Sequence, residues 1–185
     1  MFELNEVLVP VDFSIASRET FARALAMVDG ESPAVMLLHV IDPVLVEAIS
    51  SVTGEPAAAV VGRLRARAED EMAAMADCAA SVEIVRMVTE GTPFYEIARH
   101  ADELAVDAVV IAKTGQRDAR EGLFFGSTAE KVVRACREPV IVLTHEACSP
   151  WSDRARFANG SSNRCVRGRG RPARPPGGSS RRCSA

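Results

Sequence analysis

The chain has 185 residues and a formal net charge of −3, but that near-neutral total joins two unlike segments. Residues 1–147 carry 13 Lys and Arg against 24 Asp and Glu, a net of −11, whereas residues 148–185 carry nine Arg and one acid, Asp153, a net of +8. The opening MFELNEVLVP has acids where a signal peptide has positive charge, the apolar runs fall far short of the ~20 residues of a membrane helix, and the five cysteines form no CxxC. A secreted disulfide framework, a zinc pattern and a membrane span are therefore not expected, and a reducing, cytoplasmic setting is.

The apolar runs alternate with helical patterns along residues 1–147. Val7-Leu8-Val9-Pro10-Val11 predicts a first strand, and Phe21, Leu25 and Val28 share one face of a helix beginning near Ser17. AVMLLHVI, Ala34 to Ile41, predicts a strand that is apolar on both faces. A looser stretch with Pro43, Gly54 and Pro56 follows, read either as a mobile flap or as a plain connection. Val61, Leu64, Ala68, Met72, Met75 and Ala79 then make one helical stripe between Ala57 and Ala80. SVEIVRMV, ending at Val88, predicts a third strand broken by Glu83 and Arg86. Gly91-Thr92-Pro93 reads as a helix start, with Thr as N-cap and Pro in the first turn, and Phe94, Ile97, Ala101 and Leu104 form the stripe. DAVVIA, Asp107 to Ala112, predicts a fourth strand. A helix from Ser127 to about Arg137 and a last strand, PVIVL, complete the body. Strict alternation of strand and helix points to an α/β fold, a parallel sheet covered on both faces.

Residues 148–185 differ. RGRGRPARPPGGSSRR, Arg167 to Arg182, cannot bury enough surface to offset its ordering entropy, so disorder is expected there. The boundary lies near Thr144–Pro150. The arginines suit nucleic-acid phosphates, with Trp151 and Phe157 available for stacking, but no RNA-binding motif accompanies them. A tail with no specific partner, or one folded back on the acidic body, fits the same composition.

Ligands of open α/β sheets bind beyond the carboxyl ends of the strands. The stretch AKTGQRDAREGLFFGSTAEK, Ala112 to Lys131, leaves such an end and runs into a helix. Gly126 permits close backbone approach, and Ser127 followed by Glu130 has capping-box spacing. The free N–H groups of the helix start suit a phosphate, with Arg117 and Arg120 adding charge. The alternative is an ordinary capped helix. Neither a GxxxxGK[ST] loop nor a GxGxxG fingerprint occurs, because Gly122 is not followed by Gly-Lys and the first strand's turn, Pro10-Val11-Asp12-Phe13-Ser14, has no glycine. Asp12 is read either as an acceptor for ribose hydroxyls or as a cap for the next helix. Val40 ends the second strand, where backbone can pair with an adenine edge.

VLVPVDFS, LLHVID and GSTAEKVVRACREPVIVL together resemble the universal stress protein family, over about residues 3–144. The resemblance implies a five-stranded parallel sheet of order 3-2-1-4-5 with helices on both faces, a Rossmann-like, adenine nucleotide alpha hydrolase-like fold. It implies binding of ATP or AMP, with Mg, in members that carry G-x2-G-x9-G-[ST]. Carried onto this chain, Pro10, Val11 and Asp12 would border adenine and ribose, Val40 would meet adenine, and Gly115, Gly126, Ser127 and Thr128 would meet phosphates. The chain departs from the motif twice: Ala112 stands at the first glycine, and ten residues, not nine, separate Gly115 from Gly126. Members without the motif generally do not bind ATP, which leaves a nucleotide-free interaction module as the alternative. The resemblance also implies a homodimer through the last strand, whose Val140, Ile141, Val142 and Leu143 carry no charge.

No catalytic constellation is visible. His39 is expected in a core or structural role, His100 on a polar helix face, and His145 after the last strand. No carboxylate pair has metal-ligand spacing, so a regulatory binding module with an unknown protein partner is expected, with at most weak ATP hydrolysis. Cys78 and Cys136 are expected as small buried side chains of helices.

Overall fold

The computed structural model describes residues 4–30, 32–77, 79, 82–115 and 125–144. Five strands, β1 (Glu6–Pro10), β2 (Ala34–Ile41), β3 (Glu83–Glu90), β4 (Ala108–Ala112) and β5 (Val140–Leu143), form one sheet of order β3-β2-β1-β4-β5. Every neighbouring pair is parallel. The chain is the α/β fold with the strand order and the two-sided helical cover expected from sequence.

The two-residue period of a strand divides the core between the faces. Val7, Val9, Val35, Leu37, Ala108 and Val110 point one way, onto Phe21 and Ala24 of helix α1 (Ile15–Leu25) and Met72 and Met75 of helix α3 (Ala57–Ala76). Leu8, Met36, Leu38, Val109 and Ile111 point the other way, onto Ile97 and Ala101 of α4 (Pro93–Leu104) and Ala129 and Val132 of α5 (Ser127–Ala135). Leu8, Leu37 and Leu38 are fully buried. Each such side chain contributes about 1.5–3 kcal/mol relative to exposure.

The stretch after β2 differs from expectation. Residues 43–53, read from sequence as loose, form helix α2 (Pro43–Thr53). Three local signals outweigh the low helix propensity of Pro43 and Gly54. The Asp42 side chain accepts from the Val44 N–H at 2.9 Å, Pro43 occupies the first turn, and Gly54 ends the helix in the left-handed conformation at φ 73°. Val46 of α2 packs with Ile41 and Val60 in a small separate cluster.

Helix boundaries shift elsewhere. α1 starts at Ile15, two residues before the expected Ser17, because Ser14 caps it by accepting from the Ser17 N–H at 3.1 Å. Ser127 is not an N-cap: Gly126 holds that position and Ser127 is the first helical residue. The expected capping box is absent, since Glu130 is 2.6 Å from Arg134 in an i,i+4 ion pair instead. Cys136 lies just past α5 and is half-buried, while Cys78 lies outside the described residues. His100 lies among the polar groups Glu96 and Arg99 of α4, with a side chain only 15% exposed and Nδ1 2.8 Å from the Glu96 carbonyl.

The two edges of the sheet contrast. β3 exposes Glu83 and Arg86, whereas the four residues of β5 are half-buried and uncharged. Among the described residues no single helix is long and apolar enough to cross a membrane.

Candidate functional site

The chain order reverses direction at β1, which lies between β2 and β4. That switch point opens a crevice at the carboxyl ends of the strands. A cavity of about 410 Å³ lies there. All nine residues singled out from sequence line it: Pro10, Val11, Asp12, Val40, Ala112, Gly115, Gly126, Ser127 and Thr128.

The tip of β1 is held by several bonds. The Val11 N–H donates to the Leu38 carbonyl at 2.9 Å, which extends the sheet pairing by one residue. The chain then turns sharply at Phe13, whose φ is +62°. A non-glycine residue there carries strain of order 1–3 kcal/mol, which persists only where the surroundings impose it. Asp12 Oδ1 accepts from the Ser14 N–H at 3.0 Å. Arg18 Nε donates to the Phe13 carbonyl at 3.2 Å, while its Nη2 meets Glu71 of α3 at 2.5 Å. These bonds hold the turn in its strained form.

Of the two readings of Asp12 left open by sequence, the turn is seen directly, and the two carboxylate oxygens have different surroundings. Oδ1 makes the turn. Oδ2 is directed at Gly115, where an added Cβ would lie 2.6 Å from it. No real Cβ sits so close, so any larger residue at this position would force the Asp12 carboxylate to move.

The other end of the cavity is mainly backbone. Ala112 ends β4, paired with Leu143 of β5. Its backbone is extended and is not among the positive-φ residues. The glycine replaced there is thus not needed for a left-handed turn, and what alanine adds is a methyl group on the cavity wall. The Lys113 N–H donates to the Leu143 carbonyl and the Gly126 N–H to the Lys113 carbonyl, both at 2.8 Å, closing the base of the loop. No side chain caps α5. The first-turn N–H groups of Ser127, Thr128 and Ala129 therefore point out of the helix start without a capping side chain among the described residues, at the positive end of the helix dipole. Arg117, Arg120 and Gly122 lie outside the described residues, as do His145, Trp151, Phe157 and residues 148–185.

Several lining residues were not legible as site residues. Leu45 of α2, Leu64, Arg67 and Ala68 of α3, and Pro93 and Ile97 of α4 complete the wall. The Asp42-Pro43 cap and Gly54 were the only sequence signals for the α2 side, and they mark a helix, not a cavity. His39 fills the core or structural role expected of it. Its Nδ1 is 2.8 Å from the Val11 carbonyl, and its ring lies 4.6 Å from that of Phe13, centroid to centroid. It also lines the cavity. Burial pushes its pKa below the ordinary 6.5, against smaller upward effects of the Val11 bond and the Asp12 charge. Among the described residues no three His, Cys, Asp or Glu side chains are grouped to hold a metal ion.

The universal stress protein family model matches residues 3–144. The chain belongs to the universal stress protein family. Solved universal stress proteins share its architecture. Hypothetical protein MJ0577 is 22% identical with a TM-score of 0.69, covering 80% of this chain and 99% of its own. A universal stress protein in complex with cAMP is 19% identical with a TM-score of 0.54, covering 78% of this chain and 99% of its own. A universal stress protein from Archaeoglobus fulgidus in complex with dAMP is 19% identical with a TM-score of 0.52, covering 77% and 98%. No curated protein matches the chain.

Proposed function

We propose that this universal stress protein is a regulatory module that binds an adenine nucleotide, ATP or AMP, in the cavity at the β1–β4 switch point. The observation that carries the reading is the convergence of Asp12, Gly115 and the uncapped start of α5 on one cavity. Asp12 offers a carboxylate to ribose hydroxyls and the N–H groups of α5 suit a phosphate. The related proteins solved with cAMP and dAMP support an adenine nucleotide as the ligand class. Mg²⁺ would arrive with a triphosphate. The setting is cytoplasmic and the output is a stress response through a protein partner.

The apolar, uncharged β5 edge favours a homodimer formed by pairing of Val140–Leu143 with a second copy. A monomeric mass by light scattering at micromolar concentration would count against it. The alternative, a nucleotide-free module, draws on the departures at Ala112 and in the loop length. Nucleic-acid association through the arginine tail is a separate reading that high salt should abolish.

The test of the main reading is to purify the full chain without added nucleotide, denature it, and identify released small molecules by mass spectrometry. ATP or AMP near one per chain supports it. An empty protein that also fails to take up added ATP or AMP contradicts it.

A further inference from the structure

His39 follows Leu38 on β2 and precedes the cavity residue Val40, and its ring is held from two directions. Nδ1 is 2.8 Å from the Val11 carbonyl oxygen. A carbonyl only accepts, so Nδ1 carries the proton, and in a neutral imidazole the other nitrogen, Nε2, is then an acceptor. Burial favours that neutral form. The Phe13 ring lies against the imidazole at an interplanar angle of 33°, and Phe13 is itself fixed by the strained turn after Asp12.

Nε2 has no hydrogen-bond partner among the described residues. It is not sealed in either: the fully buried side-chain atom left without a partner among those residues is Glu138 Oε2. His39 lines the cavity, so its ring holds this acceptor at the cavity wall in a fixed orientation. Polar atoms held in such places ordinarily find a donor. The sugar and phosphate of a nucleotide are matched by Asp12 and by the start of α5. The base then falls toward the tip of β2, beside His39.

We infer that His39 Nε2 reads the base of the bound nucleotide, accepting a hydrogen bond from the exocyclic amino group of adenine and so selecting 6-amino over 6-oxo purines. The inference rests on the adenine-nucleotide reading of the cavity. A 6-oxo purine sets a carbonyl lone pair against the Nε2 lone pair and leaves both without a donor. Sites that pair a ligand N–H or O–H discriminate strongly against analogues that lack it.

The test is calorimetric titration of the full-length protein with AMP and with inosine 5′-monophosphate, for the wild type and for His39→Asn. Asparagine keeps an N–H where Nδ1 stands, so the bond to Val11 can persist, but it has nothing at the Nε2 position. The Val40 backbone is untouched, so discrimination carried by that backbone would survive the substitution. The wild type should bind AMP about tenfold or more tighter than the inosine nucleotide, and the ratio should fall to about one in His39→Asn. Equal wild-type affinities, or an unchanged ratio in the variant, would overturn the inference while leaving nucleotide binding intact. Binding of neither nucleotide would overturn both. If His39→Asn does not fold, N6,N6-dimethyl-AMP tests the same contact on the unaltered protein. It has no N–H at that position and should bind about tenfold or more weaker than AMP; undiminished affinity would overturn the inference.

Discussion

The two ends of the cavity are built by different means. At the β1 end, side chains do the work: Asp12, His39, Ser14 and Arg18 are tied into hydrogen bonds around a strained Phe13. At the α5 end the donors are backbone N–H groups, and no side chain caps them. On the proposed reading, the β1 end would recognise its ligand by atom placement. The α5 end would recognise an anion through backbone donors and the helix dipole. A ligand with a polar base and sugar at one end and an anionic group at the other satisfies both.

Substitutions can separate the two ends. Asp12→Ala should have the largest effect, weakening AMP and adenosine alike by roughly 10–100-fold, as expected for loss of a charged hydrogen-bonding partner. Calorimetry with both ligands checks this, and loss confined to AMP would place Asp12 at the wrong end. Ser127→Asp should break the symmetry in the opposite sense. A carboxylate in the first turn of α5 competes for the phosphate position, so AMP should weaken by about tenfold while adenosine affinity is unchanged. The same variant should gain about 0.3–1 kcal/mol of stability in denaturant titration, because the added charge faces the positive end of the dipole.

Ser14→Ala should cost about 1 kcal/mol of stability through the lost cap of α1, measured by urea unfolding. Its binding loss should fall on adenosine as much as on AMP, because the turn it supports belongs to the β1 end. The smallest effect is a pH dependence. The folded pKa of His39 lies below its ordinary 6.5, so the unfolded chain takes the proton more readily. The corresponding stability is fully present above 6.5 and is lost as pH falls through the lower folded value. Urea midpoints of the wild type should therefore decline more than those of His39→Asn over that acid range; parallel declines would show that His39 is not held neutral by burial.

Much of the fold was legible because the signals were redundant. In AVMLLHVI and DAVVIA, continuous apolar runs of strand length gave both the strands and their burial on two faces. Helix α4 was marked by Thr92-Pro93 and a clear stripe. α2 was obscured because Pro43 and Gly54 read as breakers when they are in fact its first-turn and C-cap residues. At the site, position within a strand–helix pattern singled out Asp12, Val40, Gly126 and Ser127, and the family resemblance added Pro10, Val11, Ala112, Gly115 and Thr128. Neither could identify Leu45, Leu64 or Arg67, which reach the cavity only through the packing of α2 and α3 across it. Nor could sequence divide Asp12 between its turn oxygen and the one beside Gly115, or reveal that Ala112 sits in extended backbone that needs no left-handed conformation.

The central claim is that a chain with Ala112 and a lengthened loop retains a working adenine-nucleotide site. Titration of the full-length protein with AMP, with adenosine and inorganic phosphate as separate controls, tests it most directly. Saturable AMP binding near one per chain, tighter than adenosine and far tighter than phosphate alone, is the expected result. Absence of binding by both AMP and ATP at millimolar concentration would contradict it.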